Sequence, residues 1–212
     1  MVNHMTDLNT HLTPEALLAG IRETRLVAIV RGTDGGAAAK AALTAMEEGF
    51  RYVEIALTTP DALAAIREVR AAAPAGCFVG AGTVLTAQDV EHVAEAGGQF
   101  TVTPALAESI EASAARGIPV LAGALTPTEA YEAMTRGATA VKLFPASIGG
   151  PGYLKALRDP FPGIPFIAVG LGGPLFGDAG SGGDLAPVRE RARGFVALAA
   201  EFDRRVAAES LR

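Results

Sequence analysis

Apolar and polar positions alternate in blocks along the chain. A short run of mainly β-branched or apolar residues is followed by a turn and then by an alanine-rich amphipathic stretch. The apolar runs are Leu26–Val30, Tyr52–Leu57, Phe78–Val84, Phe100–Pro104, Pro119–Leu125, Ala140–Phe144 and Pro165–Val169. Runs this short, bounded by turn residues, predict strands. Six amphipathic stretches between and after them predict helices: Ala37–Glu48, Pro60–Ala73, Ala87–Ala96, Leu106–Arg116, Pro127–Arg136 and Tyr153–Leu157. Thr13–Glu23 predicts an opening helix, with Thr13 as N-cap and Pro14 in the first helical position. Gly49, Gly97, Gly117 and Gly137 stand where four of the helices should end, the place for a left-handed C-terminal cap.

Strands alternating with helices imply a parallel sheet with helical crossovers. The regular unit length favours a (β/α)8 TIM barrel over an open doubly wound sheet. Gly80-Ala81-Gly82-Thr83 is too short a match for a dinucleotide fingerprint. Only seven strands can be counted. After Val169 the rhythm stops in a glycine-rich stretch, Gly170–Gly183, before a long helix over Leu185–Glu209. Either the barrel is one strand short or Leu171–Phe176 forms an irregular eighth.

The 212 residues are half hydrophobic, enough for one core. A single domain over residues 13–212 is expected, preceded by a loose leader over residues 1–12. The leader has neither a basic segment nor an apolar one, so it does not read as a signal peptide. No apolar run has the length of a membrane span, and the expected compartment is the cytoplasm. A net charge of −5 argues against nucleic-acid or anionic-membrane partners. The single Cys77 rules out an internal disulfide and reads as a small core residue.

Chemistry enters through charges inside apolar strands. The lysines are Lys40, Lys142 and Lys155, and Lys142 alone falls in a strand, AVKLF. Burying an ammonium is costly, so such a lysine loses its proton or pairs with an acid. A neutral amine can attack a ketone to form a Schiff base; the alternative is a structural lysine. Glu54, in YVEIAL, is either a general acid/base or the ion-pair partner of Lys142 or Arg31. Arg31 ends the first strand, as an anion clamp or a solvated end residue. Thr58 and Thr59, Thr83, Thr103 and Thr126 fall at strand ends, where hydroxyls bind substrate oxygens or cap the next helix. Gly149, Gly150, Gly172 and Gly173 offer amides to a phosphate, or simply turns. The three histidines form no metal-ligand pattern.

The motifs LVAIVRG, VEIALTTP, VGAGTVLT, TVTPAL, VKLFPAS, GPGYLKAL and FIAVG together resemble the KDPG/KHG aldolases, most closely the branch acting on phosphogalactonate. The resemblance covers Leu26 to Val169 and resumes in the last helix. It implies a metal-independent, cofactor-free class I aldolase with a (β/α)8 barrel, usually a homotrimer. The implied reaction cleaves a 2-keto-3-deoxy-6-phospho sugar acid to pyruvate and D-glyceraldehyde 3-phosphate. Lys142 corresponds to the Schiff-base lysine and Glu54 to the general acid/base. Arg31 matches a substrate-binding arginine, Thr83 and Pro104 match positions lining the pyruvyl site, and Phe144 matches the aromatic beside the imine. At the end of strand seven the gluconate branch often carries Thr-Gly-Gly, where this chain has Val169-Gly170. There is one departure. FIAVG runs directly into LGGPLFGD, as though one βα unit were lost, and the two strand ends concerned normally build the phosphate site. Rival readings are an aldolase for unphosphorylated 4-hydroxy-2-oxo acids and an inactive keto-acid-binding barrel.

Overall fold

The computed structural model describes residues 11–167 and 170–210. Its strands are β1 (Ala28–Val30), β2 (Tyr52–Ala56), β3 (Phe78–Gly82), β4 (Thr101–Thr103), β5 (Val120–Ala124), β6 (Ala140–Leu143) and β7 (Phe166–Ile167). All pair in parallel, each with its sequence neighbour, in one sheet ordered β1 to β7. The helices are α1 (Pro14–Thr24), α2 (Gly35–Glu47), α3 (Ala62–Ala72), α4 (Ala87–Glu95), α5 (Ser109–Ala115), α6 (Pro127–Thr135), α7 (Gly150–Arg158), α8 (Gly173–Phe176) and α9 (Ala186–Ser210). The result is a barrel-like α/β fold of seven parallel strands.

Local chemistry sets the helix ends. Thr13 caps α1 through the amide of Ala16, with Pro14 in the first turn. Thr86 and Thr126 begin α4 and α6 with reciprocal capping boxes to Asp89 and Glu129. Gly49, Gly97, Gly117 and Gly137 all have positive φ, as their positions at the helix ends require.

Side-chain alternation along the strands separates two kinds of core. On β2, Val53 and Ile55 face the helical layer with Ala38, Ala42, Ile66 and Val69. Tyr52 joins a second cluster with Leu17, Ile21, Phe100 and Leu121, in which α1 covers the N-terminal strand ends. There Tyr52 stacks on Phe78 at 5.5 Å and meets Phe100 edge-on at 6.4 Å. Leu12 is buried in this cluster, so the chain is packed before residue 13, where the leader was expected to end. Residues 1–10 of that leader lie outside the described residues.

Among the described residues the sheet ends at seven strands, the first of the two alternatives read from the sequence, and so is not a full eight-stranded barrel. Only residues 168–170 separate Ile167 on β7 from Leu171, too few for a helical crossover. Leu171 nevertheless reaches β1: its amide donates to the carbonyl of Val27, and its carbonyl accepts from Ile29, both at 2.9 Å. Of the alternative, an irregular eighth strand over Leu171–Phe176, only this one bridge is strand-like. Pro174 has no N–H for a ladder and a φ suited to a first helical turn, and Gly173–Phe176 is helical. Both residues of β7 are half-buried, whereas every residue of β2, β4 and β5 is buried. Among the described residues no helix is long and apolar enough to cross a membrane.

Candidate active site

Lys142 is the third residue of β6, in register with Gly123 of β5 and Ile167 of β7. Glu54 is central in β2, in register with Ile29 and Gly80. Their neighbours Val141 and Val53 point into the helical layer, so strand alternation turns both charges the other way. Lys142 Nζ donates to Glu54 Oε1 at 3.4 Å. The glutamate is 3 % exposed. Burial pushes its carboxyl above the ordinary carboxylate range, opposed by the Lys142 charge and hydrogen bond and by the more distant Arg31.

Space for this pair is made by glycine. A Cβ on Gly82 would lie 2.7 Å from Glu54 Oε1, closer than a methyl group tolerates. The next residue, Thr83, has φ 60°. A β-branched residue in the left-handed region costs of order 1–3 kcal/mol. Ladder bonds on both sides hold it there: Leu57 N to Gly82 O at 2.8 Å and Val84 N to Val102 O at 3.1 Å. Thr83 Oγ1 accepts from Arg31 Nη2 at 3.4 Å.

These groups open into a cavity of about 490 Å³. Of the residues expected from the sequence, Arg31, Glu54, Thr83, Pro104, Lys142, Phe144, Gly170, Gly172 and Gly173 line it. Phe144 is 44 % exposed, and its ring centroid is 5.7 Å from Lys142 Nζ. Gly172 and Gly173 start α8, where first-turn amides have no intrahelical acceptor. Val169 lies outside the described residues.

Thr58 does not line the cavity; it is exposed in the turn after β2. Its neighbour Thr59 is the buried one, accepting from the amide of Gly32 at 3.2 Å and so bracing the segment after Arg31. Sequence reasoning missed Ile29, Pro174, Phe176 and Gly177 as part of the wall. Their one signal was position, since Ile29 precedes Arg31 by two residues and the other three follow the Gly172-Gly173 pair. Thr103 also lines the cavity, but its hydroxyl is committed to the carbonyl of Ala105 at 2.7 Å. Apart from the Lys142–Glu54 pair, Arg31 is the one charged residue in this lining among the described residues.

A half-buried strand lysine beside a buried strand carboxylate, opening to a cavity with an arginine at its edge, suits imine chemistry on a keto acid. Comparisons with known proteins point the same way. A family profile described as "KDPG and KHG aldolase" matches residues 18–174. A probable 2-dehydro-3-deoxy-6-phosphogalactonate aldolase of Rhizobium meliloti (strain 1021) is 37% identical over 202 residues, covering 85% of this chain and 92% of the relative. The 2-dehydro-3-deoxy-6-phosphogalactonate aldolase of Escherichia coli (strain K12) is 38% identical over 147 residues, covering 68% of this chain and 72% of the relative. A solved structure described as native KDPGal superposes with a TM-score of 0.75 at 31% identity, over 83% of this chain and 94% of that one. With a family match over more than half its length and a relative aligned almost end to end, the chain belongs to the KDPG and KHG aldolase family.

Proposed function

We propose that the protein is a class I aldolase cleaving a 2-keto-3-deoxy-6-phospho sugar acid, phosphogalactonate or phosphogluconate, to pyruvate and D-glyceraldehyde 3-phosphate. The observation that carries this reading is the Lys142–Glu54 pair, 3.4 Å apart and facing the cavity. Glu54 takes a proton from the lysine, and the free amine attacks the C2 carbonyl. Glu54 returns a proton to the carbinolamine oxygen, water leaves, and the iminium forms. The carboxylate then removes the proton from the C4 hydroxyl. The C3–C4 bond breaks, its electron pair moves into the iminium to give an enamine, and the aldehyde departs. Protonation at C3 and hydrolysis release pyruvate and restore the amine. Arg31 binds the substrate's anionic group, Thr83 and Pro104 bound the pyruvyl end, and Phe144 packs beside the imine. The amides of Gly170, Gly172 and Gly173 receive the phosphate.

We read the fold as a (β/α)8 barrel without one βα unit near its C-terminal end, and the working form as a homotrimer. The short link between β7 and Leu171 supports the first statement. Tyr131 and Ile148 are large, mostly exposed apolar side chains of the kind that a subunit contact covers.

One observation favours a second substrate class. The wall includes Pro174, which has no N–H, and apolar Phe176, and among the described residues Arg31 is the one cation in the lining not paired with Glu54. That wall offers little countercharge, which suits the single negative charge of a distal carboxylate, as in an unphosphorylated 4-hydroxy-2-oxo acid, better than the near-double charge of a phosphate ester. Pyruvate release from 2-keto-3-deoxy-6-phosphogalactonate and from 4-hydroxy-2-oxoglutarate separates the two. The first reading expects kcat/KM at least tenfold higher for the phosphorylated substrate, and the reverse order supports the second. No pyruvate from either substrate, nor from 2-keto-3-deoxy-6-phosphogluconate, overturns both.

A further inference from the structure

A second concavity, of about 520 Å³, shares no lining residue with the catalytic cavity. It lies where α1, the end of α7, the segment before β7 and the far part of α9 meet. Its apolar surface includes Leu18, Ile21, Leu154, Ile164, Phe166 and Ile167. It exists because β7 leads to Leu171 through three residues, so no crossover helix covers the outside of β7.

Among the described residues the lining charge is basic: Arg22, Arg25 and Arg158 line the groove and no carboxylate does, in a chain whose net charge is −5. Arg25 is engaged with the ring of Phe202, its guanidinium 5.7 Å from the centroid. Arg22 and Arg158 are exposed and form no ion pair among the described residues. Guanidinium groups beside an apolar floor complement a ligand with a hydrocarbon body and an anionic head. The volume is that of a small-molecule cleft.

We infer that this groove binds an amphipathic anion, of the class of a medium-chain carboxylate, at a site separate from the catalytic cavity. The hydrocarbon chain covers Ile164, Phe166 and Ile167, and the carboxylate is held by Arg22 and Arg158.

Isothermal titration of the full chain with decanoate tests this directly, with decanol as the uncharged control. One saturable site per chain is expected, with decanol at least tenfold weaker. Arg22→Glu/Arg158→Glu alters exposed positions only and should weaken decanoate at least tenfold, with thermal unfolding and pyruvate release unchanged. Equal binding of decanol and decanoate, or undiminished binding by the double variant, overturns the proposal. So does light scattering showing that a second copy occupies the groove and excludes decanoate. Because binding is read without turnover, an inactive aldolase that still binds decanoate leaves this inference standing.

Discussion

Lys142 and Glu54 lie 88 residues apart in sequence, on strands four places apart in the sheet, yet Nζ and Oε1 are 3.4 Å from one another. Glu54 is the buried member of the pair, and removing Lys142 would leave its charge poorly compensated. The same contact is a route for a proton.

Glu54→Gln keeps shape and removes the base. We expect kcat to fall roughly 100- to 10,000-fold, the usual range for loss of a general acid/base. In the parent, kcat/KM should fall with decreasing pH through a midpoint above the ordinary glutamate value of 4.5, because burial raises this pKa. Stability carries the opposite sign. The folded state holds this proton more tightly than the unfolded chain, so the group's contribution falls as pH rises from 4.5 through its raised folded pKa. The unfolding free energy of the variant minus that of the parent should therefore rise with pH across that window, which denaturant melts at several pH values would reveal.

Lys142→Met removes the two interactions that hold Glu54 down and leaves Arg31 as the remaining opposing charge. The carboxyl should titrate at higher pH in the variant than in the parent. Difference infrared spectroscopy of the protonated carboxyl band reports this directly, and an unchanged midpoint would mean that the pair does not interact in solution.

Gly82→Ala places a methyl group 2.7 Å from Glu54 Oε1 and must displace the carboxylate. A misplacement near 1 Å costs on the order of 100-fold in rate. The loss should appear in kcat, and pyruvate affinity should change little.

Thr83→Gly relieves a left-handed conformation worth about 1–2 kcal/mol, against a glycine entropy cost of about 0.5–1 kcal/mol. The variant should be more stable by up to about 1 kcal/mol in urea melts. It loses the hydroxyl facing Arg31, so KM should rise roughly three- to tenfold.

Much of this was legible in the chain because it is written locally. Seven apolar runs became seven strands, and glycines at the helix ends took positive φ. Lys142 and Glu54 stood out as charges among β-formers. What was not legible depends on contacts distant in sequence or on a single register step. Thr59 rather than Thr58 is turned inward, a choice made by its bond to Gly32. Thr83 adopts a glycine-like backbone with no glycine to announce it. Phe176 and Pro174 reach the cavity wall because Leu171 docks on β1, a pairing across more than 140 residues. The fate of the segment after Val169 was ambiguous for the same reason: Pro174 favours a helix where a strand was an open alternative.

Catalysis by this protein would run through covalent chemistry at one nitrogen, Lys142 Nζ. Incubating the protein with pyruvate and sodium borohydride, followed by peptide mass mapping, examines that nitrogen directly. A reduced pyruvyl adduct on the peptide carrying Lys142, absent from Lys142→Met and accompanied by irreversible loss of activity, is the predicted result. An unmodified Lys142 peptide, or an adduct on Lys40 or Lys155 instead, would contradict it.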